Sequence, residues 1–354
     1  MSDRQAAAAA LELAHTMLSE DEALRFLDGH RITRGGRIMD PKAQIVGEFV
    51  KSIRVPGYYP PLPELRQQLR TMVSIMDAPA PALPRIEDIR IPGPAGPIGA
   101  RVYDPAGPSA SPRPVVAYFH GGGWVQGDLE THHGLCARLA SRAGALVVAI
   151  DYRLAPEHKF PAAVDDCFAA YRWLRSHTGE LGGDAARVGL AGDSAGGNLS
   201  AVVSQLSARA GDVVPACQVL IYPALDCGLD TSSHRELEDA HVIPRDRILW
   251  YMTQYLRDEA DRRDPRAAPL LSSDLAGQPA TLIITAGFDP LRDEGHAYAD
   301  RLRAAGTDVS YLEYPGQIHA FVSLTKSIPQ GLACTLTIGD YLREQLDPGT
   351  ARAA

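Results

Sequence analysis

The chain has 354 residues, which is enough for one large domain with insertions or for two domains. Hydrophobic residues make up 45% and charged residues 22%, as in ordinary globular proteins, which excludes a disordered or fibrous chain. The net charge of -8 lacks the basic excess that nucleic-acid binding requires, so we expect no nucleic-acid partner. No run approaches the roughly 18 apolar residues of a spanning helix, so we expect no membrane span.

The chain begins with polar, helical patterns. Residues 6–10 form an alanine run, but acidic residues surround it and no basic segment precedes it, so it predicts a helix and not a secretory signal peptide. Glycine and proline at 57–61 interrupt the helical pattern. Residues 1–63 are therefore predicted to be an N-terminal helical cap segment, separate from the main core.

From Ile86 onward, short apolar runs alternate with stretches of helical period. This alternation predicts an α/β fold, with a mostly parallel central sheet flanked by helices. Residues 227–266 interrupt it with a charged run and a helical pattern, and we expect a second cap insertion there. Six strands are predicted, at 115–119, 146–150, 188–191, 218–222, 281–285 and 309–314.

The five cysteines are widely scattered, odd in number and without the paired spacing of zinc or redox sites. They indicate buried free thiols in a reducing compartment. We therefore expect a cytoplasmic protein without a metal site.

A sharp turn is predicted where Gly192-Asp193-Ser194-Ala195-Gly196 follows an apolar strand and precedes a helical pattern. The stretch matches G-x-S-x-G, in which the strand-to-helix turn exposes a nucleophilic serine. Glycine is needed on both sides because the strained turn leaves no room for side chains. The N-terminus of the following helix favours a developing oxyanion. A glycine-rich turn that happens to contain serine is the alternative.

A second glycine-rich stretch, His120-Gly121-Gly122-Gly123-Trp124, follows the strand predicted to end at residue 119. This is the position of the oxyanion loop in lipases and esterases. We predict that the amides of Gly122, Gly123 and Ala195 form an oxyanion hole. His120 is expected to shape the loop through backbone contacts and not to touch the substrate.

A nucleophilic serine needs a base, and on such a fold the chain order is serine, then acid, then histidine. After Ser194, His234 and His241 fall in the predicted insertion, and His296 falls inside a helical run. His319 instead comes just after a predicted strand, where parallel sheets build their sites. His319 is therefore the predicted base.

The acid must lie between the serine and the base. Asp289 follows the strand predicted at 281–285 and is the predicted acid. Asp293 and Glu294 are nearby rivals, although acidic residues are also typical of the first turn of a helix.

Together these motifs resemble the hormone-sensitive-lipase-like esterases, of the bacterial family IV type, in the α/β-hydrolase superfamily. The resemblance implies an α/β-hydrolase catalytic domain at 64–354, a helical cap over a pocket for short acyl esters, and a triad of Ser194, Asp289 and His319. It rests on five stretches in the family's order: HGGGW at 120–124, DYRLAPEH at 151–158 with FPAA at 160–163, GDSAGGN at 192–198, DPLRD at 289–293 and HAF at 319–321.

The leading hypothesis is a cytoplasmic carboxylesterase that hydrolyses short-acyl esters through an acyl-enzyme, with no metal or organic cofactor. An amide hydrolase with the same triad is one alternative. A ligand-binding homologue that has lost catalysis is another, because a fold alone does not fix a function. The expected partner is a small-molecule ester, and a homodimer is left open.

Overall fold

The structure is a computed structural model that describes residues 13–107 and 111–347. Its strands are β1 Thr33–Arg34, β2 Arg37–Ile38, β3 Arg85–Ile91, β4 Ile98–Asp104, β5 Arg113–Phe119, β6 Leu146–Asp151, β7 Gly183–Asp193, β8 Cys217–Ile221, β9 Ala280–Phe288 and β10 Val309–Ile318. The α-helices from residue 20 onward are α1 Glu20–Phe26, α2 Pro41–Ser52, α3 Leu62–Met76, α4 His133–Ala143, α5 Ala162–Leu181, α6 Ala195–Ala210, α7 Ser232–Glu236, α8 Arg245–Tyr255, α9 Arg292–Ala304 and α10 Pro329–Leu346.

The strands β3 to β10 form one sheet in the order β10-β9-β8-β7-β5-β6-β4-β3. Neighbouring strands are parallel except at β4, which pairs antiparallel with both β3 and β6. All six predicted strands are present, and the predicted mostly parallel sheet flanked by helices is confirmed. The edge strand β3 and its neighbour β4 were not among the predicted strands.

Both faces of the sheet are covered. On β5, Val116 and Tyr118 pack with α4 and α10, whereas Val115 and Ala117 on the opposite face pack with α5 and α6. Strands buried on both faces are apolar throughout, which explains why these strands stand out in the sequence. Because β5 to β10 pair in parallel, their carboxyl ends lie at one edge of the sheet.

The N-terminal segment packs into the main core. The helix α2 begins after Asp40, whose side chain accepts hydrogen bonds from two backbone amides of its first turn. Its buried face, with Val46 and Phe49, belongs to the same apolar cluster as the sheet. The expectation of a segment separate from the main core is therefore wrong. The predicted boundary at Pro63 lies in the first turn of α3, and the helix predicted at 6–10 lies outside the described residues.

Candidate active site

Ser194 stands at the turn between β7 and α6. Its φ of 55° and ψ of -117° are unusual for a residue with a side chain. A Cβ on Gly196 would overlap the carbonyl oxygen of Phe119, and a Cβ on Gly192 would overlap that of Gly196. The two glycines therefore let the turn pack closely against β5, and the serine is held at the top of the sheet.

Three side chains from the loops after β7, β9 and β10 meet at the carboxyl edge of the sheet. The Nε2 atom of His319 lies 3.0 Å from the Oγ atom of Ser194. Its Nδ1 atom lies 2.7 Å from the Oδ2 atom of Asp289. The Asp289 side chain is fully buried, and its Oδ1 atom accepts a hydrogen bond from the Leu291 amide at 2.9 Å. A carboxylate in this position keeps the imidazole proton on Nδ1 and leaves Nε2 free to accept the serine proton.

The rival acids lie in the first turn of α9 and face other partners. Asp293 accepts hydrogen bonds from the Ser233 amide at 2.7 Å and from the Arg292 Nε atom at 2.9 Å. Glu294 is fully buried and accepts from the Leu225 amide at 2.6 Å. Burial raises the pKa of Glu294 well above its ordinary value. Neither carboxylate is hydrogen-bonded to His319.

The other candidate histidines are also engaged elsewhere. His234 is buried and bonds the threonine hydroxyl at the N-terminus of α7. His241 lies 3.0 Å from the carboxylate of Glu48 on α2. His296 is exposed on α9. Of the histidines that follow the serine in the sequence, His319 alone is hydrogen-bonded to Ser194 within the described ranges.

The glycine-rich loop after β5 lies beside Ser194 in the same cavity. Gly122 and Gly123 have φ angles of 119° and 61°, which favour glycine. Within residues 13–107 and 111–347, no protein group accepts a hydrogen bond from the amides of Gly122, Gly123 or Ala195. A Cβ on Gly123 would also overlap the ring of Tyr251. Three backbone donors are thus left for an oxygen atom of a ligand.

His120 and Trp124 support this loop from behind. The Nδ1 atom of His120 lies 2.8 Å from the Gly121 carbonyl oxygen, and its ring stacks on Tyr152 at 4.3 Å. Burial lowers the pKa of His120 to about 4, so the ring is neutral. Trp124 stacks on Tyr255 at 4.3 Å. The backbone contact of His120 agrees with a loop-shaping role.

Asp193 connects the serine turn to the glycine-rich loop after β5. Its Oδ1 atom accepts hydrogen bonds from the Tyr118 hydroxyl at 2.7 Å and from the Gly121 amide at 2.9 Å. The Nε2 atom of His132 lies 3.1 Å from the same oxygen. Burial alone would raise the pKa of Asp193, but His132 and the hydrogen bonds outweigh it and lower that pKa. His132 is not among the predicted site residues, because no motif in the sequence marks it.

A cavity of about 700 Å³ lies over Ser194 and His319. Helices α2 and α3 form one wall, and the segment that contains α8 forms another. Within the described ranges, no group of three or more His, Cys, Asp or Glu side chains is placed to hold a metal ion. The apolar lining of the cavity includes Phe49, Val50, Leu65, Met72, Met76, Ile248 and Met252.

Residues 116–323 match the family model described as the alpha/beta hydrolase fold. The chain belongs to this α/β-hydrolase family. It is 43% identical over 305 residues to the carboxylic ester hydrolase LipN of Mycobacterium tuberculosis, covering 84% of this chain and 80% of that relative. It is 35% identical over 261 residues to an arylesterase of Saccharolobus solfataricus, covering 73% of this chain and 81% of that relative.

Solved structures support the same assignment of this α/β hydrolase. A thermophilic carboxylesterase cloned from a metagenomic library is 40% identical, with a TM-score of 0.78, over 82% of this chain and 99% of that chain. The hyperthermophilic esterase of Pyrobaculum calidifontis is 38% identical, with a TM-score of 0.80, over 85% of this chain and 96% of that chain. The resemblance to hormone-sensitive-lipase-like esterases is therefore confirmed.

In this α/β hydrolase the helix α3 lines the cavity and contacts the end of the glycine-rich loop after β5. The Nε atom of Arg66 on α3 donates to the carbonyl oxygen of Val125 at 2.9 Å. Its two terminal nitrogens each lie 2.8 Å from the carboxylate of Glu157. At the end of α3, Asp77 forms a buried ion pair at 2.8 Å with Arg138 on α4. The wall of the cavity is thus fixed to the loop beneath it.

Proposed function

We propose that this protein hydrolyses short-acyl carboxylic esters through an acyl-enzyme formed on Ser194. The reaction class is supported by relatives of 41% to 43% identity, which are named carboxylic ester hydrolases or esterases. The chain is therefore a carboxylic ester hydrolase. The observation that carries the finer proposal is the hydrogen-bonded series from Asp289 through His319 to Ser194 beside an apolar cavity.

In the first step, the Oγ atom of Ser194 attacks the ester carbonyl carbon while the Nε2 atom of His319 takes the hydroxyl proton. The buried Asp289 carboxylate stabilises the imidazolium that forms. The carbonyl oxygen becomes an oxyanion, which accepts hydrogen bonds from the amides of Gly122, Gly123 and Ala195. Each such donor typically lowers the barrier by about 2.7 to 4 kcal/mol.

In the second step, the bond between the carbonyl carbon and the alcohol oxygen breaks. His319 returns its proton to that oxygen, the alcohol leaves, and the acyl group stays on Ser194. A water molecule then attacks the acyl carbon while His319 accepts one of its protons. The bond to Ser194 breaks, the serine regains its proton from His319, and the carboxylic acid leaves.

The substrate pocket is proposed to be roofed by two cap elements. The N-terminal segment supplies α2, and α3 extends that segment beyond the predicted boundary to Met76. The insertion at 227–266 supplies α8, whose Ile248, Tyr251 and Met252 line the cavity. The cavity volume of about 700 Å³ falls within the range of small-molecule sites, which supports a small ester as substrate.

Two further proposals concern the surroundings of the enzyme. All five cysteines are buried free thiols, which supports a reducing, cytoplasmic location. Within the described ranges, no helix combines the length and apolar character that crossing a bilayer requires. The homodimer stays a prediction, and sedimentation of the purified chain tests it.

The proposed function is tested with Ser194→Ala and two matched substrates, p-nitrophenyl butyrate and the corresponding anilide. We expect the wild-type protein to cleave the ester far faster than the anilide, and a fluorophosphonate to label Ser194. The variant should stay folded, with a residual acceleration of about 10³ over water from the oxyanion donors and binding. Faster anilide cleavage would indicate an amide hydrolase. A wild-type protein that cleaves neither compound would indicate a binding protein.

A further inference from the structure

His132 has no role in the mechanism above, although it lies in the same cavity as Ser194. It directly precedes α4, and its residue is 6% exposed. Its Nε2 atom lies 3.1 Å from the Oδ1 atom of Asp193, the residue before the nucleophile. A histidine buried against a carboxylate at this position can affect the chemistry without touching the substrate.

The contacts of the two ring nitrogens indicate the charge of His132. Its Nε2 atom faces a carboxylate oxygen and therefore donates a proton to it. Its Nδ1 atom lies 2.9 Å from the Oγ1 atom of Thr131. The hydroxyl of Thr131 donates its proton to the carbonyl oxygen of Asp128 at 2.9 Å and accepts from the Asp128 amide at 2.9 Å, which leaves its second lone pair to accept from His132. A histidine that donates from both nitrogens is an imidazolium.

The groups on neighbouring elements agree with this charge. From the end of β5, the His120 ring lies 5.5 Å from the His132 ring, and it is neutral. Also from β5, Tyr118 lies 6.1 Å away, and burial raises its pKa well above the ordinary value, so it too is neutral. The ionised group that faces His132 from β7 is Asp193.

The remaining charges lie in the loop before α4. Asp128 is ionised and pairs with Arg70 of α3 at 2.6 Å. Burial lowers the pKa of His132, but Asp193 and Asp128 outweigh burial and hold that pKa above its ordinary value. The net effect of the surroundings therefore favours the cationic ring.

We propose that His132 is a positioning residue, an imidazolium that balances the charge of the buried Asp193 carboxylate, so that Asp193 holds the Gly121 amide and the oxyanion loop in place. This inference rests on the proposed function. When the ring of His132 loses its proton to solvent, the buried Asp193 carboxylate stays ionised but has lost its cation, which is strongly destabilising. Opening the contact between Asp193 and the loop to water relieves this cost, so the Gly121 amide is held less firmly.

The predicted pH dependence of kcat follows from the charge of His132. His132 helps to hold the oxyanion loop in place only while its ring is charged. Because its pKa is raised, this contribution persists above the ordinary histidine range and is lost as the pH rises through that pKa. The proposal therefore predicts an alkaline decrease in kcat caused by His132.

The test compares His132→Gln with His133→Gln. Glutamine at 132 donates a neutral hydrogen bond to Asp193 and does not titrate. We expect kcat for p-nitrophenyl butyrate to fall by about 10-fold to 10²-fold, less than for a fully lost oxyanion donor. KM should change by less than about 2-fold, because the oxyanion exists only after the attack. The alkaline decrease due to His132 should disappear. The control residue His133 contacts Tyr103 at 3.3 Å, and its variant should keep the wild-type profile.

A second measurement is independent of activity and of the folding of any variant. In wild-type protein with ¹⁵N-labelled histidine, both ring nitrogens of His132 should stay protonated at pH values above the ordinary histidine pKa of about 6.5. A midpoint at or below that value overturns the proposal, as does a His132→Gln variant that keeps the wild-type kcat and alkaline decrease. If the wild-type protein cleaves no ester, the proposed function fails, whereas the titration still decides the charge of His132.

Discussion

Replacement of Asp289 by asparagine should nearly abolish turnover without unfolding the protein. In the structure, the Oδ1 atom accepts from the Leu291 amide and the Oδ2 atom accepts from His319. Asparagine has one side-chain oxygen for these two donors. If that oxygen keeps the Leu291 bond, the NH₂ group faces His319 and forces the imidazole proton onto Nε2. The nitrogen beside Ser194 then carries a proton and cannot accept another.

The size of the effect follows from the tautomer. The opposite orientation of the amide would place its NH₂ group against the Leu291 N–H, leaving a buried donor unpaired at a cost of about 1 to 3 kcal/mol. The orientation with the unreactive tautomer is therefore favoured. Serine proteases with the same substitution lose about 10⁴-fold in kcat, equivalent to about 5 kcal/mol in the barrier, and we expect a similar loss here.

The assay measures kcat/KM for p-nitrophenyl butyrate and the melting temperature of Asp289→Asn beside Asp293→Asn. Asp293 lies at the start of α9 and bonds Ser233 and Arg292, so its variant should lose about 0.3 to 1 kcal/mol of stability and little activity. An Asp289→Asn variant that keeps its turnover within about 10-fold would refute the tautomer mechanism. An inactive Asp293→Asn beside an active Asp289→Asn would move the acid four residues along the chain.

Three further predictions concern the glycine-rich loop, the cavity wall and the buried ion pair at the end of α3. Gly123→Ala should lower kcat by about 10-fold to 10³-fold, because its Cβ would overlap the ring of an aromatic residue in α8. The control is Gly144→Ala, whose φ of 67° is similar but whose Cβ would meet open space. It should lower only the melting temperature. Met72→Trp should narrow the cavity and reduce kcat/KM for p-nitrophenyl octanoate more than for the acetate. Asp77→Ala leaves a buried arginine unpaired and should lower the free energy of unfolding in urea by about 3 to 5 kcal/mol. As a control, Asp340→Ala removes a more exposed ion pair with Arg142 and should lower the free energy of unfolding by less than about 1 kcal/mol.

The strands that could be predicted from the sequence are those buried on both faces. Residues 115–119 of β5 and 146–150 of β6 are apolar or aromatic, so these short runs stand out in the sequence. The edge strand β3 carries the charged residues Glu87, Asp88 and Arg90 among its few apolar ones, because much of it faces solvent. Its alternation is too weak to distinguish it from a loop.

The site could be predicted where its residues lie in local motifs. The serine turn and the glycine loop need particular residue types at fixed spacing, and each follows a strand whose position could also be predicted. The pairing of His132 with Asp193 joins positions about 60 residues apart and has no local signature. Glu294 was a rival candidate for the acid or a residue of the first turn of a helix, and the structure shows that it is also buried and accepts from a backbone amide after β8. Contacts of this kind depend on how the chain packs.

The contacts of Arg66 limit how the substrate range of this enzyme can be re-engineered. Replacing α3 with the corresponding helix of a relative would change part of the pocket wall. It would also replace Arg66, which donates a hydrogen bond to the end of the oxyanion loop. A chimera that changes the wall but lacks an arginine at this position would be expected to lose turnover on every ester, including those it was designed to accept. Directed evolution of chain-length preference should therefore conserve Arg66 and Glu157 while it varies the cavity-facing side of the helix.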